Sequence, residues 1–181
     1  MKEKYQHKYR VQSTSLKMWN YAQNGYYFVT ICTDDNEHYL GRVVNSEISL
    51  SKIGEIAQSF WKQIPEHYPF VTLDAVTIMP NHIQGIIIID KSDSTVETQN
   101  FASLQHNDYR GNKFGPQSEN LGAIIRGYKV AVKKYATMNN INFTWQPRYY
   151  DHIIRNEEDL NRIRTYIVNN PMDEKSLSSS P

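Results

Sequence analysis

The sequence predicts an α+β fold, a ferredoxin-like (RRM-like) βαββαβ sandwich whose antiparallel sheet carries helices on one face. A further C-terminal helix carries Tyr166. Two apolar, strand-like runs lie between residues 70 and 89 and are joined only by Pro80-Asn81, so they should pair antiparallel. Two segments with helical spacing of apolar residues, 51–64 and 121–135, separate the strand-like runs. This order predicts a layer of helices packed against one sheet.

In the first half of the chain, a β-rich run covers residues 25–33 and ends at the turn-forming sequence 34–36. Two short runs within 39–50 indicate a small hairpin. Ser51 is a candidate N-cap for the first helix, which we expect to end at Pro65.

In the second half, the helix at 121–135 is followed by a short extended piece, 143–146, as the last predicted strand. Residues 149–155 lead into the third helix. Asn156 is its expected N-cap, and Pro171 should end it.

The length of 181 residues suits one domain, which we place at 1–175. Residues 1–20 carry five basic side chains against one acidic one, which fits either a phosphate-binding arm or a solvated terminus. Residues 91–118 read as a long polar loop, and 176–181 as a disordered tail.

Composition excludes several classes of protein. Cys32 is the only cysteine, so an intramolecular disulfide and a multi-cysteine zinc site are ruled out. No stretch approaches membrane-spanning length, and no signal-peptide core follows the basic N-terminus. The net charge of +1 does not by itself indicate nucleic acid. These features predict a cytoplasmic protein.

A polar pair interrupts the apolar run from Met79 to Ile89. His82 and Gln84 are two residues apart, so in a strand they project from the same face. Burying an imidazole and an amide is costly without a partner. The pair is either exposed, satisfied by ordinary hydrogen bonds, or bound to a metal ion.

A second pair lies near the end of the last helix. Asn170 is four residues after Tyr166, one turn along the same helical face, and Tyr166 falls at the edge of the apolar stripe. Taken alone, this Tyr166 reads as a boundary residue with an exposed hydroxyl.

The chain resembles the single-tyrosine HUH transposases, where U is a bulky apolar residue, and in particular their REP-associated subgroup. Five segments in matching order over about 150 residues carry the resemblance: Tyr27–Thr33, Met79–His82, Leu121–Gly127, Trp145–Arg155 and Tyr166–Pro171.

This resemblance implies an enzyme that binds a hairpin in single-stranded DNA, cuts a nearby phosphodiester and associates with the nucleoid. Tyr166 matches the nucleophile that forms a 5′-phosphotyrosine. His82, Gln84 and Asn170 match the metal ligands, and Mg²⁺ or Mn²⁺ is the implied cofactor. Relatives include monomers and homodimers that share a helix between active sites.

The chain departs from the family motif at one position. Gln84 stands where the motif has its second histidine, and an amide oxygen should hold a hard cation less tightly than imidazole. A His-U-Gln motif resembles that of some viral replication initiators, where it supports nicking. The alternative is a domesticated or inactivated protein that binds hairpin DNA without cutting it.

Several further residues have open roles. The expected DNA-binding side chains are Arg126, Lys129, Lys133, Arg148 and Arg155. His152 is either structural or a ligand or acid–base group, and Trp145, Tyr149 and Tyr150 either stack on unpaired bases or pack in the core. A third reading is an RNA-binding domain on the same scaffold, with aromatic side chains on its open sheet face.

Overall fold

The computed structural model describes residues 4–5, 8–9, 21–44, 47–92 and 119–173. Most of the predicted basic arm and of the predicted loop 91–118 lies outside the described residues, as does the predicted tail 176–181. In chain order the elements are β1 (Lys4–Tyr5), β2 (Lys8–Tyr9), β3 (Gly25–Cys32), β4 (Gly41–Val44), β5 (Glu47–Leu50), α1 (Lys52–Lys62), α2 (Ile64–His67), β6 (Val71–Ile78), β7 (His82–Ile89), α3 (Leu121–Met138), β8 (Tyr150–Ile154) and α4 (Glu157–Asp173).

The main sheet has four strands in the order β6-β7-β3-β8, and every neighbouring pair is antiparallel. This is the strand order of a split βαβ sandwich, so the predicted ferredoxin-like fold is confirmed. The predicted hairpin is also present as β4 and β5.

The last strand differs from the prediction. The extended piece 143–146 makes one isolated bridge, between Trp145 and Thr33, while β8 pairs along β3 from Thr30 to Tyr26. Pro147 has no N–H for a ladder, and Arg148 adopts a positive φ of 69°. The chain therefore turns at these two residues and begins its strand at Tyr150.

The two faces of the sheet are covered by different helices. On one face, side chains of β3, β6 and β7 pack with α1 and α3 in the main core, which includes Trp61 and Tyr128. On the other face, α4 buries a smaller cluster: Tyr26, Phe28, Ile86, Ile88, Ile154, Leu160, Ile163 and Ile167. The helix that carries Tyr166 thus lies opposite α1 and α3.

The helix starts follow the predicted capping. Ser51 Oγ accepts the N–H of Gly54 at 3.1 Å, and Asn156 Oδ1 accepts the N–H of Asp159 at 2.7 Å. Pro65 does not end α1, which stops at Lys62. It lies instead in the first turn of the short α2, where a missing N–H costs nothing.

Gly85 separates Gln84 from the apolar end of β7 for a packing reason. A Cβ at this position would lie 2.5 Å from Cζ2 of the buried Trp61. Only glycine lets the α1 indole lie this close to the strand.

A bulge in β6 joins the sheet to α4. The register shifts between Leu73 and Val76, and Asp74 in that interval pairs with Arg164, whose Nε lies 3.1 Å from both carboxylate oxygens. Burial alone would raise the pKa of Asp74, but hydrogen bonds from Arg164 and the Ala75 N–H hold it below its ordinary value.

We expect Asp74→Asn to lower the free energy of unfolding by about 1–2 kcal/mol at pH 7, since Arg164 is partly exposed and solvent screens the pair. Because the folded pKa of Asp74 is depressed, its stabilisation is present above the ordinary value of 3.8 and is lost as pH falls through the lower folded pKa. Urea melts at pH 7 and at pH 2.5 measure the difference. Glu55→Gln, which breaks an exposed pair with Lys52, should change stability little. An equal loss for Asp74→Asn at both pH values would contradict the assignment.

Candidate active site between the sheet and α4

Strand β7 presents His82 and Gln84 to the α4 side of the sheet. The register pairs His82 with Cys32 and Gln84 with Thr30 across β3, while Ile83 points into the main core. The side chain of Gln84 is buried, with the residue 5% exposed. An amide buried to this extent needs hydrogen-bond partners, and α4 supplies both.

A chain of hydrogen bonds links the strand amide to the helix. Asn170 Nδ2 donates to Gln84 Oε1 at 2.6 Å, and Gln84 Nε2 donates to the Tyr166 hydroxyl at 3.3 Å. Asn170 is buried, and the i, i+4 spacing of Asn170 and Tyr166 lets both reach the same side chain. These two hydrogen bonds orient the Gln84 amide so that its N–H₂ group points at the hydroxyl of Tyr166.

Tyr166 itself is open to solvent on one side. The residue is 47% exposed, and its ring makes an edge contact with Phe28, with the centroids 6.3 Å apart. Ile163 and Ile167 anchor the same helix in the smaller core cluster. The side chain is thereby held at the sheet while part of it faces solvent.

His82 has one satisfied and one unsatisfied ring nitrogen. Its Nδ1 lies 2.6 Å from Asn81 Oδ1, an acceptor, which assigns the proton to Nδ1 and the lone pair to Nε2. Among the described residues Nε2 is buried and has no hydrogen-bond partner. Burial lowers the pKa of His82 to about 4, so the ring is neutral at pH 7.

These side chains fit a metal ion in part. A neutral imidazole with a buried, unpaired Nε2, oriented by a carbonyl on Nδ1, is the form in which histidine binds divalent cations. In contrast, Gln84 Oε1 is already taken by Asn170. Rotating the Asn170 amide by 180° would release it, and terminal amide torsions are soft. Within the described residues, no three His, Cys, Asp or Glu side chains form a metal cluster, so a metal ion bound here would need amide oxygens among its ligands.

On the predicted cationic face of α3, the two lysines bind backbone carbonyls, whereas Arg126 is exposed. Lys129 Nζ donates to the backbone carbonyls of Gln146 at 2.6 Å and Arg148 at 2.8 Å, and Lys133 Nζ donates to the carbonyl of Phe143. Both ammonium groups therefore hold the segment 143–148 against the helix. Arg126 is exposed on the same face.

A groove of about 820 Å³ runs along this face of α3, on the side of the sheet opposite Tyr166. Arg126, Lys134 and Arg148 line it together with the exposed side chains of Val130 and Met138. Arg155 lies elsewhere, at the end of β8 beside α4.

His152 forms a structural pair. Its Nε2 lies 2.8 Å from Asp159 Oδ2, and Asp159 also accepts from Arg162 in the first turn of α4. The desolvation of Asp159 is outweighed by these hydrogen bonds, which lower the pKa of its carboxyl. His152 thus joins β8 to α4 and does not reach the Gln84–Tyr166 contact.

Comparison with known proteins finds related chains in one bacterium. The chain is 36% identical over 162 residues to an uncharacterized protein of Haemophilus influenzae, covering 89% of this chain and 88% of that one. It is 29% identical over 154 residues to a protein of the same organism named "Putative REP-associated tyrosine transposase", covering 84% and 73% of the two chains. This similarity supports the REP-associated tyrosine transposase family. No protein-family model matches it.

A solved structure shows the same fold. It is a REP-associated tyrosine transposase bound to a REP hairpin, and it matches 88% of this chain and 74% of its own with a TM-score of 0.57 at 18% identity. Among the described residues of this chain, none of the helices combines the length and the apolar character that a membrane span requires.

The fold brings together Gln84, Asn170 and Tyr166 from one chain, with His82 two residues along the same strand face. It does not bring the α3 cations to that site. Sequence reasoning missed Asn81, which orients His82. Its position next to the histidine was the available signal.

Proposed function

We propose that the chain is a metal-dependent single-stranded DNA endonuclease and strand transferase that acts at DNA hairpins. The observation that carries the proposal is the contact of the hydroxyl of the half-exposed Tyr166 with buried Gln84, on the strand face that also holds the unpaired Nε2 of His82. The structure of a relative bound to a REP hairpin supports the substrate class.

The proposed reaction is an in-line displacement at phosphorus. The Tyr166 oxygen loses its proton to solvent and forms a bond to phosphorus, while the bond from phosphorus to the 3′-oxygen breaks. The leaving 3′-oxygen takes up a proton and becomes a free 3′-hydroxyl. The 5′-phosphotyrosine retains the bond energy, so a second 3′-hydroxyl can rejoin the strand without an external energy source.

Gln84 prepares the nucleophile. Its amide N–H points at the phenol oxygen, where a hydrogen bond stabilises the negative charge of a phenolate. Asn170 sets the orientation of the Gln84 amide. The N–H₂ group of Asn170 can only donate, so it faces the oxygen of Gln84 and turns the N–H₂ group of Gln84 toward Tyr166. Mg²⁺ or Mn²⁺ held by His82, Gln84 and Asn170 would supply charge neutralisation at the phosphate.

A specific observation favours a second candidate, a protein that binds hairpin DNA without cutting it. The Gln84 oxygen, which would serve as metal ligand, is engaged by Asn170 at 2.6 Å. If that contact persists when DNA is bound, Gln84 is lost as a ligand and only His82 Nε2 and Asn170 Oδ1 remain. Neither is a carboxylate, so the site would hold Mg²⁺ weakly.

A nicking assay separates the two. A REP-type hairpin with unpaired flanks, labelled at its 5′ end in one sample and at its 3′ end in another, is incubated with the protein and Mn²⁺. On denaturing gels, the 5′ label reports the fragment with the free 3′-hydroxyl and the 3′ label reports the covalent adduct. The endonuclease yields both products, and EDTA abolishes them. If the protein still binds the hairpin but yields neither product over a range of Mn²⁺ and Mg²⁺ concentrations, it is the second candidate, a hairpin-binding protein that does not cut.

The predicted DNA contact of the α3 face is tested best at Arg126. We expect Arg126→Ala to reduce the slope of log Kd against log salt concentration by about 0.7–0.9, the change for one phosphate contact. Replacing Arg126, Lys129 and Lys133 together should lower the slope further, but the lysines also hold segment 143–148. Glu55→Gln is the control for a charge change elsewhere. An unchanged slope in Arg126→Ala would mean that this face does not meet DNA.

A further inference from the structure

Tyr150 is an exposed aromatic side chain on the same sheet face as the candidate active site. It is 46% exposed, whereas Trp145 is buried and Tyr149 is half-buried with its pKa raised, mainly by burial. Of the three aromatics considered for base stacking, the structure leaves Tyr150 as the one with substantial open ring surface.

The strand register places Tyr150 in line with Gln84. Thr30 of β3 pairs with Gln84 on one side and with Tyr150 on the other, so the three residues form one row across the sheet. Two strand spacings separate Gln84 from Tyr150, which is about 10 Å. That span is on the scale of one or two nucleotides of an extended strand.

One aromatic ring connects the two exposed tyrosines. Phe28 makes edge contacts with Tyr150, at 6.4 Å between centroids, and with Tyr166, at 6.3 Å. These contacts hold both rings in fixed directions, and a fixed ring loses little entropy when a base stacks on it.

A cleft of about 370 Å³ continues from Tyr150 along the outer edge of β8. Its polar lining comprises Arg155, His152 and Asn156 together with the carboxylates of Asp151 and Asp159. The exposed ring with hydrogen-bonding groups beside it matches the chemistry of an unpaired base, which stacks on an aromatic face and hydrogen-bonds at its edges.

We propose that Tyr150 is a base-binding subsite, on which an unpaired base next to the phosphate attacked by Tyr166 stacks. The inference deepens the proposed function and rests on it. The subsite would set the strand in register with Tyr166, so that one particular phosphate lies at its hydroxyl. Tyr150 is a positioning residue in this account and takes no part in the chemistry.

The experiment is a double-mutant cycle between the protein and the DNA. Binding of a fluorescein-labelled REP-type hairpin with unpaired flanks is followed by anisotropy in EDTA, with Tyr166→Phe as the parent so that no strand is cut. A set of oligonucleotides carries a single abasic site at each unpaired position in turn. Tyr150→Ala, Tyr150→Leu and Tyr150→Phe are compared with the parent and with Val168→Ala, an exposed apolar control on α4.

We expect Tyr150→Ala and Tyr150→Leu to weaken binding of the intact strand about tenfold, and Tyr150→Phe to retain it. At one unpaired position, an abasic site should weaken DNA binding by the parent by a similar factor. The same abasic site should leave the affinity of Tyr150→Ala unchanged. If every abasic site lowers the affinity of the parent and of Tyr150→Leu equally, the proposed subsite is wrong, while the proposed hairpin binding still stands. Failure of the parent to bind the intact hairpin would overturn both the proposed function and the subsite. Tyr150→Leu keeps the test valid if Tyr150→Ala does not fold.

Discussion

Tyr166→Phe is expected to abolish cleavage and covalent adduct formation while leaving hairpin affinity within about twofold. The change removes only the hydroxyl that would attack phosphorus and keeps the ring that contacts Phe28. Loss of a nucleophile costs on the order of 10⁴-fold or more in rate. The measurement is a single-turnover nicking assay with Mn²⁺, combined with anisotropy for binding.

Tyr135→Phe provides the matched control for this experiment. Tyr135 is a partly buried tyrosine of α3, on the opposite side of the sheet, and its ring contacts Phe60. Removing its hydroxyl should leave cleavage at the wild-type rate. A covalent protein–DNA adduct that survives in Tyr166→Phe would show that another residue is the nucleophile.

Gln84 should respond in opposite ways to two substitutions. Gln84→His restores an imidazole at the second motif position, and we expect it to tighten Mn²⁺ binding on the order of tenfold and to raise cleavage. Gln84→Glu keeps an oxygen ligand and adds charge, so metal binding should hold or improve. It cannot donate to the Tyr166 hydroxyl, however, so cleavage should fall despite the bound metal.

Isothermal titration with Mn²⁺ and the nicking assay together separate the two roles of Gln84. Asn170→Asp is a useful companion, because an acidic group there would face the Gln84 oxygen and should turn the amide. If wild-type protein cuts efficiently and Gln84→His is slower, the amide is a tuned alternative to histidine. If neither form binds metal or cuts a hairpin, the binding protein without cleavage activity is the correct reading.

Local periodicity determined much of this protein. Alternation along β7 placed His82 and Gln84 on one face, and helical spacing placed Asn170 one turn after Tyr166. The N-caps at Ser51 and Asn156 were also readable, because a cap depends on residues within a few positions of it.

The sequence-based prediction of the last strand was wrong, and the sequence did not show which aromatic side chains are exposed. Whether 143–146 or 150–154 pairs with β3 depends on where the chain turns, and that is decided by Pro147, the positive φ of Arg148 and the lysines of α3. Trp145 and Tyr150 look equally suited to stacking in the sequence, but one is buried in the main core and the other is exposed beside Tyr166.

What the sequence by itself determined is which residues share a face within each element, because that follows from backbone geometry alone. Only the tertiary structure decided which faces meet. The contact between Gln84 and Tyr166 joins residues 82 positions apart, and it exists because α4 packs on the sheet face opposite α1 and α3. That choice follows from burying the apolar residues of α4 against Phe28 and Ile86, an energy that no local pattern contains.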